Sequence, residues 1–155
     1  MSTNIHFSSK DQTWETPREF FNKLDEEFGF TLDPCCSEAT AKCDKYFTES
    51  DNGLVQDWSN DVVFMNPPYG REIKQWIKKA YDESQKGATV VCLVPARTDT
   101  AYWHDIIFKA KSENDCTIRF LRGRLKFGGS KNSAPFPSAV VVFKKSNRSR
   151  EVSEW

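Results

Sequence analysis

Two short apolar runs, separated by an amphipathic segment, constrain the fold of this chain more than any other feature. Residues 62–65 and 89–94 are almost continuously apolar, as expected of strands that are buried on both faces. Between them, Ile73, Trp76 and Ile77 recur at helical spacing. A strand, a helix and a second strand in this order predict a right-handed crossover between parallel strands.

Further elements extend this unit into an α/β sheet. A third helix is predicted to begin at Thr98 or Thr100, and two more strands are predicted over residues 117–121 and 139–143. We therefore expect an α/β fold with a mostly parallel sheet and helices on both faces. Ligands of such sheets bind beyond the carboxyl ends of the strands, where Asp33-Pro34 and the segment that begins at Asn66 are expected to lie.

The first helix has a clear start signal. Thr16-Pro17-Arg18-Glu19 matches a capping box with proline at the first helical position, and Gly29 supplies a stop. A short strand is predicted over residues 30–32. The irregular region that follows is predicted to contain a short helix near residues 38–42 and a strand at residues 46–47.

The length of 155 residues fits one domain, and its bounds are predicted at residues 13–145. Residues 1–12 are expected to form a flexible N-terminus, and residues 146–155 a polar, disordered tail. No apolar run approaches the roughly 18 residues of a membrane span, and no secretory signal is recognisable. The five cysteines have no framework spacing, so we expect reduced thiols in a cytoplasmic protein.

The net charge of zero hides an uneven distribution of charge. No acidic residue occurs between Asp115 and Glu151, whereas this stretch is rich in lysine and arginine. Such a basic segment favours a polyanionic partner, although cations that blunt the edge of a strand give the same pattern. Arg122 and Arg124 alternate along the predicted strand, so both side chains are expected on one face.

Asn66-Pro67-Pro68-Tyr69 follows the first buried strand and is the most specific motif of the chain. Two prolines make a stiff turn and donate no hydrogen bonds, so nearby carbonyl groups remain free to accept one. Asn66 adds a side-chain carbonyl, and Tyr69 adds a flat ring. This group suits a planar molecule that carries an amino group, although a rigid turn capped by asparagine is the simpler structural alternative.

The same tetrapeptide resembles the amino-methyltransferase motif of S-adenosylmethionine-dependent enzymes. Three other segments resemble parts of adenine methyltransferases in the expected order: Glu15-Thr16-Pro17, Leu32-Asp33-Pro34 and Gln56-Asp57-Trp58. The run Phe-Leu-Arg-Gly-Arg-Leu-Lys-Phe at residues 120–127 extends the similarity. Over residues 13–144 the chain resembles the phage-type DNA N-6-adenine-methyltransferase (Dam) family.

This resemblance implies a single-domain, Rossmann-like methyltransferase fold, S-adenosylmethionine as cofactor, double-stranded DNA as partner, and no metal. It also implies a location in the cytoplasm of a bacterial cell or a phage-infected host. The implied catalytic residues are Asn66, Pro67, Pro68 and Tyr69. The implied cofactor residues are Thr16, Pro17, Asp33, Pro34, Cys35, Asp57 and Trp58. The implied DNA-binding residues are Arg122, Arg124, Lys126 and Lys131.

Two features depart from the family pattern. The glycine-rich loop after the first strand is replaced by Cys35-Cys36-Ser37, so close approach to a cofactor would depend on small side chains. The acid that binds the cofactor ribose is either Asp44 or Glu49.

Other functions fit parts of the sequence. A protein glutamine N5-methyltransferase would use the same tetrapeptide to hold a side-chain amide, and a catalytically inactive DNA-binding module would keep the fold alone. Zinc ligation by Cys35, Cys36 and Cys43 lacks the usual paired spacing. Pro34-Cys35 resembles the nucleophile of cytosine-C5 methyltransferases but lies too early in the chain. Phe127 fits a core position better than a contact with a base.

Overall fold

Residues 14–146 are described by the structure, a computed structural model. Helix α1 spans Arg18–Phe28, strand β1 Val62–Met65, helix α2 Ile73–Gln85 and strand β2 Thr89–Pro95. A π-helical turn, Trp103–Ile107, continues into helix α3, Phe108–Ser112, and strands β3, Cys116–Phe120, and β4, Ser138–Phe143, follow. The predictions for residues 1–12 and 147–155 lie outside the described residues.

The strands form one sheet in the order β1-β2-β4-β3. β1 pairs with β2 in parallel, whereas β4 runs antiparallel to both β2 and β3. Isolated parallel bridges from Leu32 to Val63 and from Asp33 to Tyr46 extend the sheet beyond β1. Every extended segment except β4 therefore runs in the same direction, which confirms the mostly parallel sheet.

Helices cover both faces of the sheet. On one face, Phe64 of β1 packs edge-on against Phe21 of α1 at a centroid distance of 5.1 Å. On the other face, Phe143 of β4 packs against Tyr81 of α2 at 6.1 Å. The strand register confirms that Phe64 and Phe143 point to opposite faces, because Phe64 is aligned with Val91 and Phe143 with the adjacent Val90. This is the Rossmann-like α/β arrangement expected from the sequence.

Several local predictions are wrong. Residues 38–40 form a turn rather than a helix, and the strands expected at residues 30–32 and 46–47 are reduced to single bridges. The capping box does not form either, because Pro17 occupies the cap position of α1 and no side chain caps it. The hydroxyl of Thr16 accepts a hydrogen bond from Asn66 instead, so a contact distant in sequence replaces the local one.

The strand predicted over residues 117–121 is confirmed as β3, but it does not continue through Arg122 and Arg124 as expected. β3 ends at Phe120, and residues 121–137 form a connecting loop to β4. Arg122 and Arg124 therefore lie in the loop and not along the edge of a strand. We call residues 121–137 the basic loop.

Candidate active site

Three chain segments end at the same edge of the sheet. Asp33 and Asn66 follow parallel strand segments, and Ala96 follows β2 beside them. Backbone N–H of Ala96 donates to the Pro137 carbonyl at 2.8 Å, which brings the end of the basic loop to this edge. We call this the carboxyl edge, and it is where an α/β sheet of this kind binds ligands.

The side-chain amide of Asn66 is held in one orientation. Its nitrogen donates to the backbone carbonyl of Trp14 and to the hydroxyl of Thr16, at 3.0 Å from the latter. Its carbonyl oxygen is buried and has no hydrogen-bond partner within residues 14–146. Buried polar atoms without a partner are uncommon, so this oxygen is a strong acceptor that remains available to a donor from a ligand.

The two prolines continue the acceptor surface. Neither has a backbone N–H, and within the described residues no hydrogen bond to the Pro67 carbonyl occurs. Pro67 is buried and Pro68 is half-buried. The motif thus combines the free oxygen of Asn66 with a backbone carbonyl one residue further along the chain.

Tyr69 is enclosed by aromatic side chains rather than open to solvent. Its hydroxyl donates to the Leu93 carbonyl at 3.1 Å, and its ring is 4% exposed. Burial raises the pKa of this phenol well above its ordinary value, so the hydroxyl stays protonated. Phe127 and Phe136 of the basic loop pack edge-on against the Tyr69 ring at centroid distances of 6.4 Å and 5.6 Å.

Trp14 completes this aromatic cluster. Its ring lies 5.4 Å from Phe127 and 5.2 Å from Phe136. We call Trp14, Tyr69, Phe127 and Phe136 the aromatic cluster. The burial of Phe127 confirms its predicted core position, whereas no periodic pattern marks Trp14 or Phe136, because both lie outside helices and strands.

The segment of residues 14–17 joins the aromatic cluster to the rest of the site. The Trp14 carbonyl and the Thr16 hydroxyl accept hydrogen bonds from the Asn66 amide. Between them, the Glu15 carbonyl accepts a hydrogen bond from the Gly128 N–H at 2.8 Å. The predicted residues Thr16 and Pro17 therefore do lie beside Asn66. This segment connects the motif after β1 with the basic loop.

Asp33 organises the loop that lacks glycine. Its carboxylate accepts hydrogen bonds from the N–H groups of Cys35 at 3.3 Å and Lys42 at 3.0 Å. Burial raises the pKa of Asp33 to about 6, although both hydrogen bonds favour the charged form. Burial also raises the pKa of the Cys35 thiol, which keeps it neutral. The carboxylate therefore holds the loop of residues 35–42 closed from within.

Gly53 marks a close approach that the sequence did not reveal. A Cβ atom at this position would lie 2.1 Å from the Pro34 carbonyl oxygen, so no other residue fits without a shift of the backbone. The contact presses the 3₁₀ turn Gly53–Val55 against the segment after Asp33. The residues that border the carboxyl edge on this side are therefore those around Gly53.

The backbone of Asp57 and Trp58 lies toward the opposite edge of the sheet, beside the end of α2, and the Trp58 side chain extends from there to Gly53. Trp58 is fully buried, and its indole N–H donates to the Gly53 carbonyl at 3.0 Å. Asp57 is exposed and accepts a hydrogen bond from the Ser59 N–H at 2.8 Å, and bonding to Ser59 lowers its pKa. It lies near Lys86 at the end of α2, which is the opposite edge of the sheet.

The two acids considered for the cofactor ribose lie on opposite sides of the Asp33–Tyr46 bridge. Glu49 follows Tyr46 in the direction of the carboxyl edge, and it lies close enough to Cys35 to influence that thiol electrostatically. Asp44 precedes the bridge, on the side where Lys45 pairs with Asp61 at 2.7 Å. Only Glu49 therefore lies at the carboxyl edge.

The four predicted DNA-binding residues all belong to the basic loop and are exposed: Arg122, Arg124, Lys126 and Lys131. None of them forms an ion pair with a residue of the described chain. Arg97, which the sequence analysis did not single out, lies 5.1 Å above the Phe136 ring. Arg97 therefore places one cation beside the aromatic cluster.

Within residues 14–146, no group of three or more histidine, cysteine or acidic side chains is placed to hold a metal ion. In the same part of the chain, no helix is both long and apolar enough to cross a membrane.

Comparison with known proteins identifies a family and individual relatives to which this chain is similar. The family described as DNA N-6-adenine-methyltransferase (Dam) matches residues 2–153. A DNA N-6-adenine-methyltransferase of Escherichia phage T1 is 34% identical over 92 residues, which cover 58% of this chain and 38% of the relative. Another, of Haemophilus phage HP1, is 29% identical over 111 residues, which cover 70% of this chain and 64% of the relative. The chain thus spans less than two thirds of the length of either relative.

Proposed function

The chain belongs to the DNA N-6-adenine-methyltransferase (Dam) family, and from this premise we propose that it transfers a methyl group from S-adenosylmethionine to the exocyclic N6 amine of a flipped adenine in double-stranded DNA. The resemblance noted from the sequence motifs is confirmed at the level of the family. The activity itself rests on the site, and one observation carries it: the buried, unpartnered carbonyl oxygen of Asn66.

The free oxygen matches the chemistry of an amino group. Because Trp14 and Thr16 hold the nitrogen of the Asn66 amide, its oxygen faces the position that a donor would occupy. An adenine amine has two hydrogens, which the Asn66 oxygen and the Pro67 carbonyl can accept together. These bonds concentrate electron density on N6 and fix its direction, which lowers the barrier to attack on a carbon atom.

The cofactor supplies an electrophilic methyl carbon on its sulfonium. The N6 lone pair would form the new nitrogen–carbon bond while the carbon–sulfur bond breaks. The electron pair of the broken carbon–sulfur bond would remain on sulfur, which becomes a neutral thioether. One N6 proton is then lost to water, so atoms and charges balance. No covalent intermediate with the protein is required, which agrees with the neutral state of the Cys35 thiol, whose pKa is raised by burial.

The aromatic cluster supports a flipped base. An adenine inside a duplex cannot reach Asn66, so the base must leave the stack, and unstacked bases are held on aromatic rings. Tyr69 lies three residues beyond Asn66, and its hydroxyl is fixed by the Leu93 carbonyl. We propose that the base stacks on Tyr69 in the place that the rings of the basic loop occupy in this structure.

The cofactor is proposed to lie along the carboxyl edge between Asp33 and Asn66. Thr16, Pro17, Asp33, Pro34 and Cys35 all border this region, and Glu49 is proposed to bind the ribose because it alone of the two candidate acids lies at this edge. Asp57 and Trp58 are not included, because their side chains are directed elsewhere.

The function is tested by methyl transfer from labelled S-adenosylmethionine to DNA, followed by mass spectrometry of the nucleosides. N6-methyl-2′-deoxyadenosine is the expected product. Label in a glutamine side chain of a protein would instead support the amide alternative. Retention of DNA without measurable affinity for S-adenosylmethionine or its thioether product would indicate an inactive binding module and overturn the proposal.

Asp33→Ala is expected to weaken the binding of S-adenosylhomocysteine by about tenfold, because the loop of residues 35–42 loses the carboxylate that closes it. Isothermal calorimetry measures the change. Asp44→Ala is the matched control, since this acid is exposed and lies on the other side of the Asp33–Tyr46 bridge. Unchanged affinity in Asp33→Ala would leave Asp33 as a turn residue only.

Replacement of Arg122 or Arg124 by alanine is expected to weaken DNA binding about equally on every sequence. Each phosphate contact that is lost should lower the slope of log affinity against log salt by roughly one. Fluorescence anisotropy at several salt concentrations measures the slope. Lys145→Ala serves as control, because Lys145 is an exposed cation that follows the far end of β4. Slopes identical to wild type in both arginine variants would exclude the basic loop as the phosphate-binding surface.

A further inference from the structure

A second buried oxygen without a hydrogen-bond partner lies at the start of β4. Ser138 is 1% exposed, and its side-chain hydroxyl has no partner among residues 14–146. Most buried polar atoms in proteins do have a partner, because a buried hydroxyl that lacks one costs free energy. An alanine would fill nearly the same space without this cost. The hydroxyl is therefore expected to serve a ligand.

The backbone around Ser138 fixes the position of this hydroxyl. Ser138 is aligned with Pro95 of β2 on one side, and on the other side its carbonyl accepts a hydrogen bond from the Leu121 N–H at 3.1 Å. The preceding Pro137 carbonyl is held by the Ala96 N–H. The hydroxyl thus belongs to the carboxyl edge and is held there on a paired strand.

Ser138 and Asn66 point to the same face of the sheet. Phe64 is aligned with Val91, which is aligned with Val142, so all three share the face that α1 covers. Ser138 lies four residues before Val142. Asn66 lies two residues beyond Phe64, and its hydrogen bonds to the segment before α1 agree with this face. Only β2 lies between β1 and β4, so about 10 Å separates these two strands.

Phe136 connects Ser138 with the position proposed for the base. It lies two residues before Ser138, and its ring packs edge-on against Tyr69 at 5.6 Å and against Trp14 at 5.2 Å. The Trp14 carbonyl in turn holds the amide of Asn66. A base that replaces the rings of the basic loop on Tyr69 would therefore lie between the Asn66 oxygen and the Ser138 hydroxyl.

The two groups are complementary to adenine. The Asn66 oxygen accepts from an amine, and apart from its N6 amine the edges of adenine carry only ring nitrogens that accept hydrogen bonds. A serine hydroxyl can donate one. We propose that the Ser138 hydroxyl donates a hydrogen bond to a ring nitrogen of the flipped adenine and is thereby a specificity-determining residue. This inference rests on the proposed function.

Ser138→Ala is expected to separate stability from activity. The midpoint of urea unfolding should stay the same or rise, because the hydroxyl has no partner within the described chain. The value of kcat/KM for adenine methylation should fall at least about fivefold, because a hydrogen bond to the base is lost. Ser84→Ala is the matched control. Ser84 is equally buried, but its hydroxyl donates to the Tyr81 carbonyl at 2.7 Å near the end of α2, so its kcat/KM should equal that of wild type.

Base analogues show whether the hydroxyl contacts the base itself. DNA targets with 1-deaza-, 3-deaza- or 7-deazaadenine each replace one ring nitrogen by a C–H group. The ratio of kcat/KM for adenine to that for the analogue is measured in wild type and in Ser138→Ala. For one analogue this ratio should be at least about fivefold larger in wild type, and that analogue identifies the nitrogen.

The outcomes separate this inference from the function on which it rests. Equal ratios in both proteins for all three analogues would overturn it, even if Ser138→Ala were slower on adenine. A wild-type rate in Ser138→Ala, or a clear fall in its unfolding midpoint, would also overturn it while leaving the methyltransferase proposal intact. If the wild-type chain transfers no methyl group to adenine in DNA, the proposed function fails, and the role of Ser138 fails with it.

Discussion

Asn66→Ala should lower the rate of adenine methylation by at least about a hundredfold while the affinity for DNA changes little. The variant removes the oxygen that we propose accepts a hydrogen from N6, and loss of one such preorganised partner typically costs about 10²–10³ in turnover. DNA affinity derives mainly from phosphate contacts, which Asn66 does not make. Single-turnover methylation at saturating cofactor, together with DNA titrations, separates the two effects.

Asn60→Ala is the matched control for this prediction. Asn60 is exposed and precedes β1 at its amino end, whereas Asn66 follows β1 at its carboxyl end. The control variant should methylate DNA at the wild-type rate. Turnover near wild type in Asn66→Ala would remove the main support for the proposed reaction, and an equal loss of DNA affinity would show that the asparagine acts in binding.

The second large effect is expected for stability at Glu83. This carboxylate is 1% exposed, accepts a hydrogen bond from the Trp58 N–H at 2.6 Å, and pairs with Lys86 at 2.8 Å and Lys79 at 3.4 Å. Its removal leaves the buried Trp58 N–H without its acceptor and the largely buried Lys79 with only the Gln56 carbonyl. Because the loss of one partner of a buried ion pair typically costs about 3–5 kcal/mol, Glu83→Ala should lower the free energy of unfolding by about that amount.

Asp82→Ala is the control for Glu83→Ala, and urea unfolding measures both. Asp82 precedes Glu83 in α2 and pairs with Lys78 at 3.0 Å, but the pair is exposed, so a cost below about 0.5 kcal/mol is expected. Equal costs in the two variants would contradict the view that the network around Glu83 fixes the turn at Trp58.

The contribution of Glu83 should depend on pH. Burial alone would raise the pKa of this carboxyl, but hydrogen bonds from Lys86 and the Trp58 N–H outweigh it and lower the pKa below the ordinary value. The folded state therefore binds the proton less tightly than the unfolded state. The stabilising effect is present above the ordinary pKa of glutamate and is lost as the pH falls through the lower, folded value, so wild type and Glu83→Gln should converge in acid.

The sequence predicted the elements whose signal is local. β1, α2 and β2 were found because apolar runs and helical spacing depend only on neighbouring residues, and Asn66 was located because its strand was. Thr16 was assigned to a capping box because a local pattern cannot show that Asn66, fifty residues away in sequence, provides a competing donor.

The placement of Asp57 and Trp58 has a different physical cause. Their short distance from Asn66 in sequence suggests that they share its edge of the sheet. Between Gly53 and β1, however, the chain runs alongside α2 toward the opposite edge, where Asp57 lies near Lys86. The contact that fixes this path, between Gly53 and the Pro34 carbonyl, depends on the absence of a side chain. Because glycine has no side chain, patterns of side-chain polarity or size in the sequence do not predict this contact.

If a flipped base stacks on Tyr69 as proposed, the aromatic cluster determines which contacts the base must replace when it leaves the duplex. If the Tyr69 ring faced solvent, a base would displace only water from it. In this structure Phe127 and Phe136 already pack edge-on against the Tyr69 ring. Entry of a base is then a substitution of one ring for another on the same tyrosine. On this proposal the protein's own side chains compete with the base for Tyr69. Occupancy of the site by a base should then be set by the difference between its stacking energy and the energy of the edge-on contacts of Phe127 and Phe136.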